Sequence, residues 1–227
     1  MEETAHRVRP TTHGASLETV RISPVGLEGI LGLPADAKGV VLFAHGSGSS
    51  RLSPRNTYVA TALRQAGLGT LLFDLLTEQE ADDRSFVFNI PLLATRLASA
   101  ADWLIHRKPA AGLPVGLFGA STGAGAALVA AARYPNVIGA VVSRGGRPDL
   151  AEDWLGQVRA PTLLIVGGDD PDVLKLNRMA FARLSCLKEL KVVPGATHLF
   201  EEPGKLDDVI DLARAWFRAH LTPGTPE

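Results

Sequence analysis

From about residue 38 onward, short apolar runs alternate with longer segments whose apolar residues recur every three or four positions. Short runs bounded by glycine or polar residues are typical of buried strands, and the longer spacing is typical of helices that pack on a sheet. The pattern predicts buried strands at 40–44, 70–74, 115–119, 138–142, 162–166 and 190–193. It predicts helices at about 54–66, 90–107, 122–133, 172–185 and 205–220.

This alternation of strands and helices indicates an α/β fold, with a mostly parallel sheet covered by helices on both faces. Residues 17–22 and 26–34 predict an antiparallel hairpin at one edge of the sheet. The polar residues 1–15 are expected to form a mobile tail, and 16–222 a single domain. The acidic segment 76–89 is predicted to be a loop that leans over the strand ends.

The balance of charges favours a small molecule as the partner. Lys and Arg total 23 and Asp and Glu total 24, so the formal net charge is −1 and nothing in it attracts nucleic acid. The acidic start of the chain is unlike a secretory signal, and every apolar run is shorter than the roughly 20 residues that cross a bilayer. We therefore expect a cytoplasmic protein without a membrane partner. The composition does not determine the oligomeric state.

One serine lies at the centre of the small-residue cluster 119-GASTG-123. Gly-x-Ser-x-Gly alone is a weak signal, but here a strand candidate precedes it and a helix candidate follows, as in a nucleophile elbow. Glycines on both sides remove Cβ atoms that would collide where the chain turns back. Ser121 is therefore expected at a helix N-terminus, where the backbone N–H of Thr122 can donate to a developing oxyanion.

A serine nucleophile needs a base within hydrogen-bond reach and an acid that orients the base. His198 follows the strand candidate at 190–193, and Asp169 and Asp170 follow the one at 162–166. In open α/β sheets, ligands bind beyond the carboxyl ends of the strands, where these side chains would lie. From this placement alone, either aspartate can serve as the acid.

Four features together resemble a capless α/β-hydrolase of the dienelactone-hydrolase-like group over about residues 25–220. They are 45-HGSGSS-50, 119-GASTG-123, the spacing Gly167–Asp170–Val173 and 195-GATH-198. The resemblance implies that Ser121, Asp170 and His198 form a catalytic triad, with Asp170 preferred to Asp169. It also implies that the backbone N–H of Ser47 is the second oxyanion donor.

Dienelactone hydrolases proper use a cysteine nucleophile, whereas this elbow carries serine and the single Cys186 lies far downstream. A lone cysteine excludes an internal disulfide and suits a reducing compartment. The chain contains neither H-E-x-x-H nor clustered Cys and His, so no metal site is predicted. His45 is expected to be a structural residue within the loop that shapes the oxyanion hole.

The resemblance implies a serine hydrolase that cleaves a carboxylic ester or related acyl bond without a cofactor. Only about twenty residues separate the strand candidates at 138–142 and 162–166, too few for a lid domain, so we expect an open site and a small soluble substrate. Acyl transfer or perhydrolysis by the same triad is one alternative, because the acyl-enzyme is shared. A noncatalytic ligand-binding domain is another.

Four arginines follow strand candidates on the side where the site is expected, namely Arg51, Arg55, Arg144 and Arg147. A guanidinium can hold a carboxylate or phosphate through paired hydrogen bonds, so some of these side chains are candidates for binding an anionic substrate group. The alternative is that each pairs with a nearby aspartate or glutamate or points into water.

Overall fold

The computed structural model of the 227-residue protein describes residues 16–221, so the predicted tail at 1–15 lies outside the described residues. Its strands are β1 (Leu17–Ile22), β2 (Leu27–Gly32), β3 (Val40–Ala44), β4 (Gly69–Phe73), β5 (Val115–Ala120), β6 (Ile138–Arg144), β7 (Thr162–Gly167) and β8 (Lys188–Val193). Its α-helices are α1 (Pro54–Gln65), α2 (Glu78–Ala81), α3 (Arg84–Val87), α4 (Ile90–Ile105), α5 (Thr122–Arg133), α6 (Pro171–Arg183) and α7 (Lys205–His220). Two short 3-10 helices, separated by a kink at Ala151, lie within Pro148–Gln157.

The strands form one eight-stranded sheet in the order β1-β2-β4-β3-β5-β6-β7-β8. β2 pairs antiparallel with both β1 and β4, while the pairs from β4 through β8 are parallel. The predicted hairpin therefore lies at one edge of a mostly parallel sheet. This confirms the fold class expected from the alternation of apolar runs.

The core lies in two layers, one on each face of the sheet. Alternate residues of a strand point to opposite faces, so Leu42 of β3 packs in one layer and its neighbours Val41 and Phe43 pack in the other. The layer with Leu42 includes apolar residues of α4, α5 and α6, and the opposite layer includes those of α1 and α7. Burial on both faces explains why the central strands read as continuous apolar runs.

The connection between β4 and α4 contains more structure than the sequence pattern predicts. The segment 76–89, expected to be a loop, holds the one-turn helices α2 and α3. Thr77 and Glu80 form a reciprocal capping box at the first, and Asp83 caps the second. Each helix has only four residues, which is too few for a recurring apolar pattern. The capping residues are therefore the only local sequence signal of these two helices.

The carboxyl ends of the parallel strands lie along one edge of the sheet, and each leads into a segment of the predicted site. β3 leads into residues 45–50, β5 into Ser121, β7 into Asp170 and β8 into His198. None of the helices within residues 16–221 has both the length and the apolar character required to span a bilayer.

Candidate active site

Ser121 lies on a sharp turn between β5 and α5, in a backbone conformation that side chains rarely adopt (φ 51°, ψ −123°). The turn needs glycine on both sides. A Cβ on Gly119 would lie 2.5 Å from Cα of Ala124, and one on Gly123 would lie 2.2 Å from the carbonyl oxygen of Ala44. The chain therefore has the nucleophile-elbow geometry that the sequence predicts.

His198 and Asp170 form a hydrogen-bonded pair, with 2.8 Å between Nδ1 of the imidazole and Oδ2 of the carboxylate. A carboxylate only accepts, so Nδ1 carries the proton and Nε2 is free to act as a base. Asp169 is exposed, and its backbone N–H donates to the carbonyl of Ala196 instead. The structure thus brings Asp170, rather than Asp169, to the histidine.

Ser121 and His198 line one cleft of about 590 Å³. Residues 46–50 of the segment 45–50, here called the oxyanion loop, line it too. Among the hydrogen bonds within residues 16–221, none joins the Ser121 hydroxyl to the imidazole. Catalytic hydrogen bonds are often long in unliganded enzymes and tighten when substrate binds. Ser121 thus shares a cleft with the histidine that Asp170 orients.

The oxyanion loop is fixed to α5 by a contact that sequence reasoning missed. The backbone N–H of Ser47 donates to Oγ1 of Thr122 at 2.9 Å. Thr122 is 5% exposed. Its hydroxyl therefore accepts the backbone N–H of Ser47, the donor that was expected to bind an oxyanion. The sequence signal of this contact is a threonine directly after the serine of the elbow.

His45 joins the oxyanion loop to the segment after β4. Its Nδ1–H donates to the carbonyl of Gly46 at 3.0 Å, and its Nε2 accepts from the N–H of Leu75 at 3.2 Å. Burial lowers the pKa of His45 below its ordinary value, although the Gly46 hydrogen bond and the charge of Asp74 oppose this. The neutral imidazole therefore has a structural role.

His45 is expected to make the stability of the protein fall between pH 7.5 and 5.5. Below a pH of about 6.5, the unfolded chain takes up a proton at this position more readily than the folded one, so protonation favours unfolding. Glutamine can accept from Leu75 and donate to Gly46 without titrating. Denaturant unfolding at both pH values should therefore show a smaller loss of free energy for His45→Gln than for wild type. Equal losses in the two proteins would contradict this role.

The loop that carries His198 is held by two glutamates, Glu201 and Glu202. Glu202 accepts from both the backbone N–H and the hydroxyl of Thr197, and these bonds lower the pKa of its carboxyl. Glu201 accepts from the guanidinium of Arg55 at the rim of the cleft. Each glutamate thereby fixes one side of the histidine loop.

The structure separates the four candidate arginines. Arg51 pairs with Asp74 and Glu28, outside the lining of the Ser121 cleft. Arg147 forms two hydrogen bonds with Asp149, at 2.9 and 2.8 Å, and likewise lies outside that lining.

Two arginines do line the Ser121 cleft. Arg55 is at the rim, where its Nη1 lies 2.7 Å from the Glu201 carboxylate. Arg144 is 6% exposed, and burial, followed by the charge of Arg55, lowers its pKa to about 10. It therefore stays charged at neutral pH.

A second cleft, of about 730 Å³, lies on the other side of the oxyanion loop. The segment 76–89, predicted to lean over the strand ends, contributes part of its wall. The apolar side chains in its lining are Val25, Leu27, Leu75, Leu76, Ala81, Val87 and Leu93. This space can receive an apolar portion of a molecule held at the oxyanion loop.

Cys186 lies between α6 and β8, and burial raises the pKa of its thiol. A raised pKa leaves less thiolate, the reactive form, so this cysteine has no sign of activation. Within residues 16–221, no group of three or more His, Cys, Asp or Glu side chains is arranged to hold a metal ion.

The parallel sheet, the strained serine turn and the histidine–aspartate pair define an α/β-hydrolase site. A family model described as the dienelactone hydrolase family matches residues 27–219, and the chain belongs to this family. It is 55% identical to a dienelactone hydrolase crystal structure from Anabaena variabilis, with a TM-score of 0.87 and coverage of 91% of this chain and 98% of that one.

Two further comparisons extend this result. An esterase domain from a Rhodothermus marinus protein has a TM-score of 0.69 at 21% identity, covering 91% of this chain and 98% of that one, which shows the fold alone. Two curated Mycobacterium tuberculosis proteins, provisionally named phosphoribosyl transferases, are 60% identical over 198 residues, 87% of this chain. The match covers only 45% of their length, so this chain spans less than half of each relative.

Proposed function

We propose that this hydrolase of the dienelactone hydrolase family is a serine hydrolase that cleaves carboxylic esters of small molecules through an acyl-enzyme. The observation that carries the proposal is that Ser121, on a strained elbow, lines the same cleft as His198, which is oriented by Asp170 at 2.8 Å. A serine nucleophile separates it from dienelactone hydrolases that use cysteine.

In this mechanism, the Ser121 hydroxyl attacks the acyl carbon while Nε2 of His198 takes the proton. The imidazolium then protonates the leaving alcohol as the tetrahedral intermediate collapses to an acyl-enzyme. Water, deprotonated by the same nitrogen, attacks the acyl carbon. The imidazolium then returns this proton to the Ser121 oxygen as the second intermediate collapses and releases the acid. Asp170 stabilises the imidazolium and keeps the imidazole proton on Nδ1 throughout.

The oxyanion of each tetrahedral intermediate would receive hydrogen bonds from the backbone N–H groups of Ser47 and Thr122. In the resting protein, the Ser47 N–H donates to the Thr122 hydroxyl at 2.9 Å. A developing negative charge is a stronger acceptor than a hydroxyl, so this donor is expected to turn toward the oxyanion. Before reaction, the Thr122 hydroxyl would keep the Ser47 N–H positioned next to the site of the oxyanion.

The site can also serve acyl transfer or perhydrolysis, since an alcohol, amine or peroxide can replace water at the acyl-enzyme. The provisional name of the mycobacterial relatives belongs to proteins of which this chain covers less than half, so it does not define the reaction of this site. We place the substrate among small molecules in a cytoplasmic setting, without a nucleic-acid or membrane partner.

A fluorophosphonate probe should label Ser121, because it reacts with serines activated by a neighbouring base. Mass spectrometry of the labelled peptide locates the modification. Ser49 is exposed in the lining of the same cleft and is the matched control. Labelling should persist in Ser49→Ala and vanish in Ser121→Ala. Absence of labelling in the wild-type protein would favour the noncatalytic ligand-binding domain instead.

A further inference from the structure

The last strand in the sheet order, β8, has an outer side that no other strand covers, since it pairs only with β7. In a parallel pair, alternate residues direct both backbone groups toward the neighbouring strand. The carbonyl of Leu187 accepts from the N–H of Thr162 at 2.9 Å, so the odd-numbered residues face β7. The N–H and C=O groups of Lys188, Leu190 and Val192 therefore point outward. Within residues 16–221, none of these groups has a backbone hydrogen-bond partner on that side.

This outer side of β8 lacks the features by which proteins prevent edge strands from pairing. Such strands are protected by proline, by bulges or by solvated lysines. β8 contains no proline, and its register with β7 is regular from Lys188 to Val193. Lys188 is drawn onto the end of α6, where its Nζ donates to the carbonyls of Phe181 and Leu184 at 2.7 and 2.5 Å. Its charge therefore does not protect the strand.

The two charges that β8 exposes are complementary to those of a second β8. The side chains of Glu189 and Lys191 are 47% and 48% exposed, and they lie on the same face of the strand because they are two residues apart. When two copies of β8 pair antiparallel about Leu190, Glu189 of each copy lies opposite Lys191 of the other. A strand with two like charges at these positions would repel its own copy.

The hydrogen-bond pattern also fits a symmetric pair. Leu190 would lie opposite Leu190 of the partner copy, and its outward N–H and C=O would exchange two hydrogen bonds with the same groups there. Positions 189 and 191 then become the pairs without hydrogen bonds, where facing side chains are closest. Within one strand, Glu189 and Lys191 already form an exposed ion pair at 2.9 Å. An exposed pair contributes little to stability, so exchanging it for a contact between copies costs little.

Two exposed apolar side chains lie at the ends of the same strand. Leu187, directly before β8, is 59% exposed, and Val192 is 41% exposed. In the antiparallel pair, Leu187 lies opposite Val193 of the partner copy, and Val192 lies opposite the aliphatic stem of Lys188. A second copy would thus remove apolar surface from water at both ends of the charged centre.

We propose that two copies of this protein pair through β8, about a two-fold axis at Leu190, so that their sheets join into one continuous sheet. The partner at this edge is thus a second copy of the chain. In such a symmetric interface every contact occurs twice, so the pairing includes two contacts between Glu189 and Lys191. The inference concerns assembly and is independent of the reaction proposed for Ser121.

Sedimentation equilibrium over a range of protein concentrations measures the dissociation constant of the dimer. Glu189→Lys places lysine opposite lysine at both contacts, and Lys191→Glu places glutamate opposite glutamate. At low ionic strength, each single variant should raise the dissociation constant at least about tenfold. The double variant Glu189→Lys with Lys191→Glu exchanges the charges and restores the complementary pairs, so it should dimerise about as tightly as wild type.

A mixture of the two single variants tests the pairing directly. In the mixed dimer, both lysines of one variant lie opposite both glutamates of the other. With a fluorescent label on one variant, sedimentation of the label should therefore show a dimer when the unlabelled second variant is added. No such shift should occur when unlabelled protein of the same variant is added.

Lys38→Glu is the matched control, because it reverses the charge of an exposed lysine that precedes β3, outside the proposed interface. It should retain the wild-type dissociation constant, and thermal unfolding controls for the fold of each variant. A monomeric wild type, single variants that dimerise as tightly as wild type, or a double variant that stays monomeric would each contradict the β8 dimer. Labelling of Ser121 is measured separately, so failure of the dimer and failure of the proposed function are distinguishable.

Discussion

Ser121→Ala is expected to lower the kcat of ester hydrolysis by a factor of about 10⁴ to 10⁶, the range seen when one member of a catalytic triad is removed. The attacking oxygen is lost, and only binding and the oxyanion donors remain. The fold should persist, since within residues 16–221 the Ser121 side chain forms no hydrogen bond and alanine adds no bulk to the elbow. Steady-state kinetics with chromogenic esters measures the loss.

His198→Ala should cause a loss of similar size, and the double variant should be little worse than either single variant. Triad residues act as a unit, so removing a second member lowers kcat little further once the first is gone. Thermal unfolding of each variant controls for a damaged fold. Near-wild-type turnover in purified Ser121→Ala would show that Ser121 is not the nucleophile.

Asp170→Asn is expected to lower kcat by about 10⁴-fold, as replacement of the buried acid does in another triad enzyme. An asparagine amide can donate to Nδ1 of His198 and so favours the tautomer with its proton on Nε2. That tautomer cannot accept the proton of Ser121. Because Asp170 contacts Nδ1 of His198 at 2.8 Å, a substitution at Asp170 acts directly on the tautomer of the imidazole.

Asp169→Asn is the matched control, because it makes the same chemical change one residue earlier. This side chain is exposed, and the loop is held there by a backbone hydrogen bond that the substitution retains. Turnover should stay within a few-fold of wild type. Equal losses in the two variants, or a larger loss in Asp169→Asn, would mean that the acid is assigned to the wrong residue.

Much of the architecture follows from local pattern. The strands and long helices have strong periodicity, and the glycines around Ser121 mark a turn that few other residues permit. The boundaries moved by a few residues, since β8 begins at Lys188 rather than 190 and α4 ends at Ile105 rather than 107. β8 is an edge strand whose first residues are polar and partly exposed, so they form no apolar run that would indicate where the strand begins.

By itself, the sequence determined the fold class and the sharp turn at Ser121, because periodicity and glycine placement act over neighbouring residues. The choice of Asp170 over Asp169 as the acid came from the resemblance to a known family. Only the tertiary structure decided which side chains meet. It pairs Arg51 with Asp74, 23 residues away, leaves Arg144 without a carboxylate in the described chain, and sets the Thr122 hydroxyl on the N–H of Ser47, 75 residues away. Such contacts depend on how separate strands converge at one sheet edge, which no local pattern encodes.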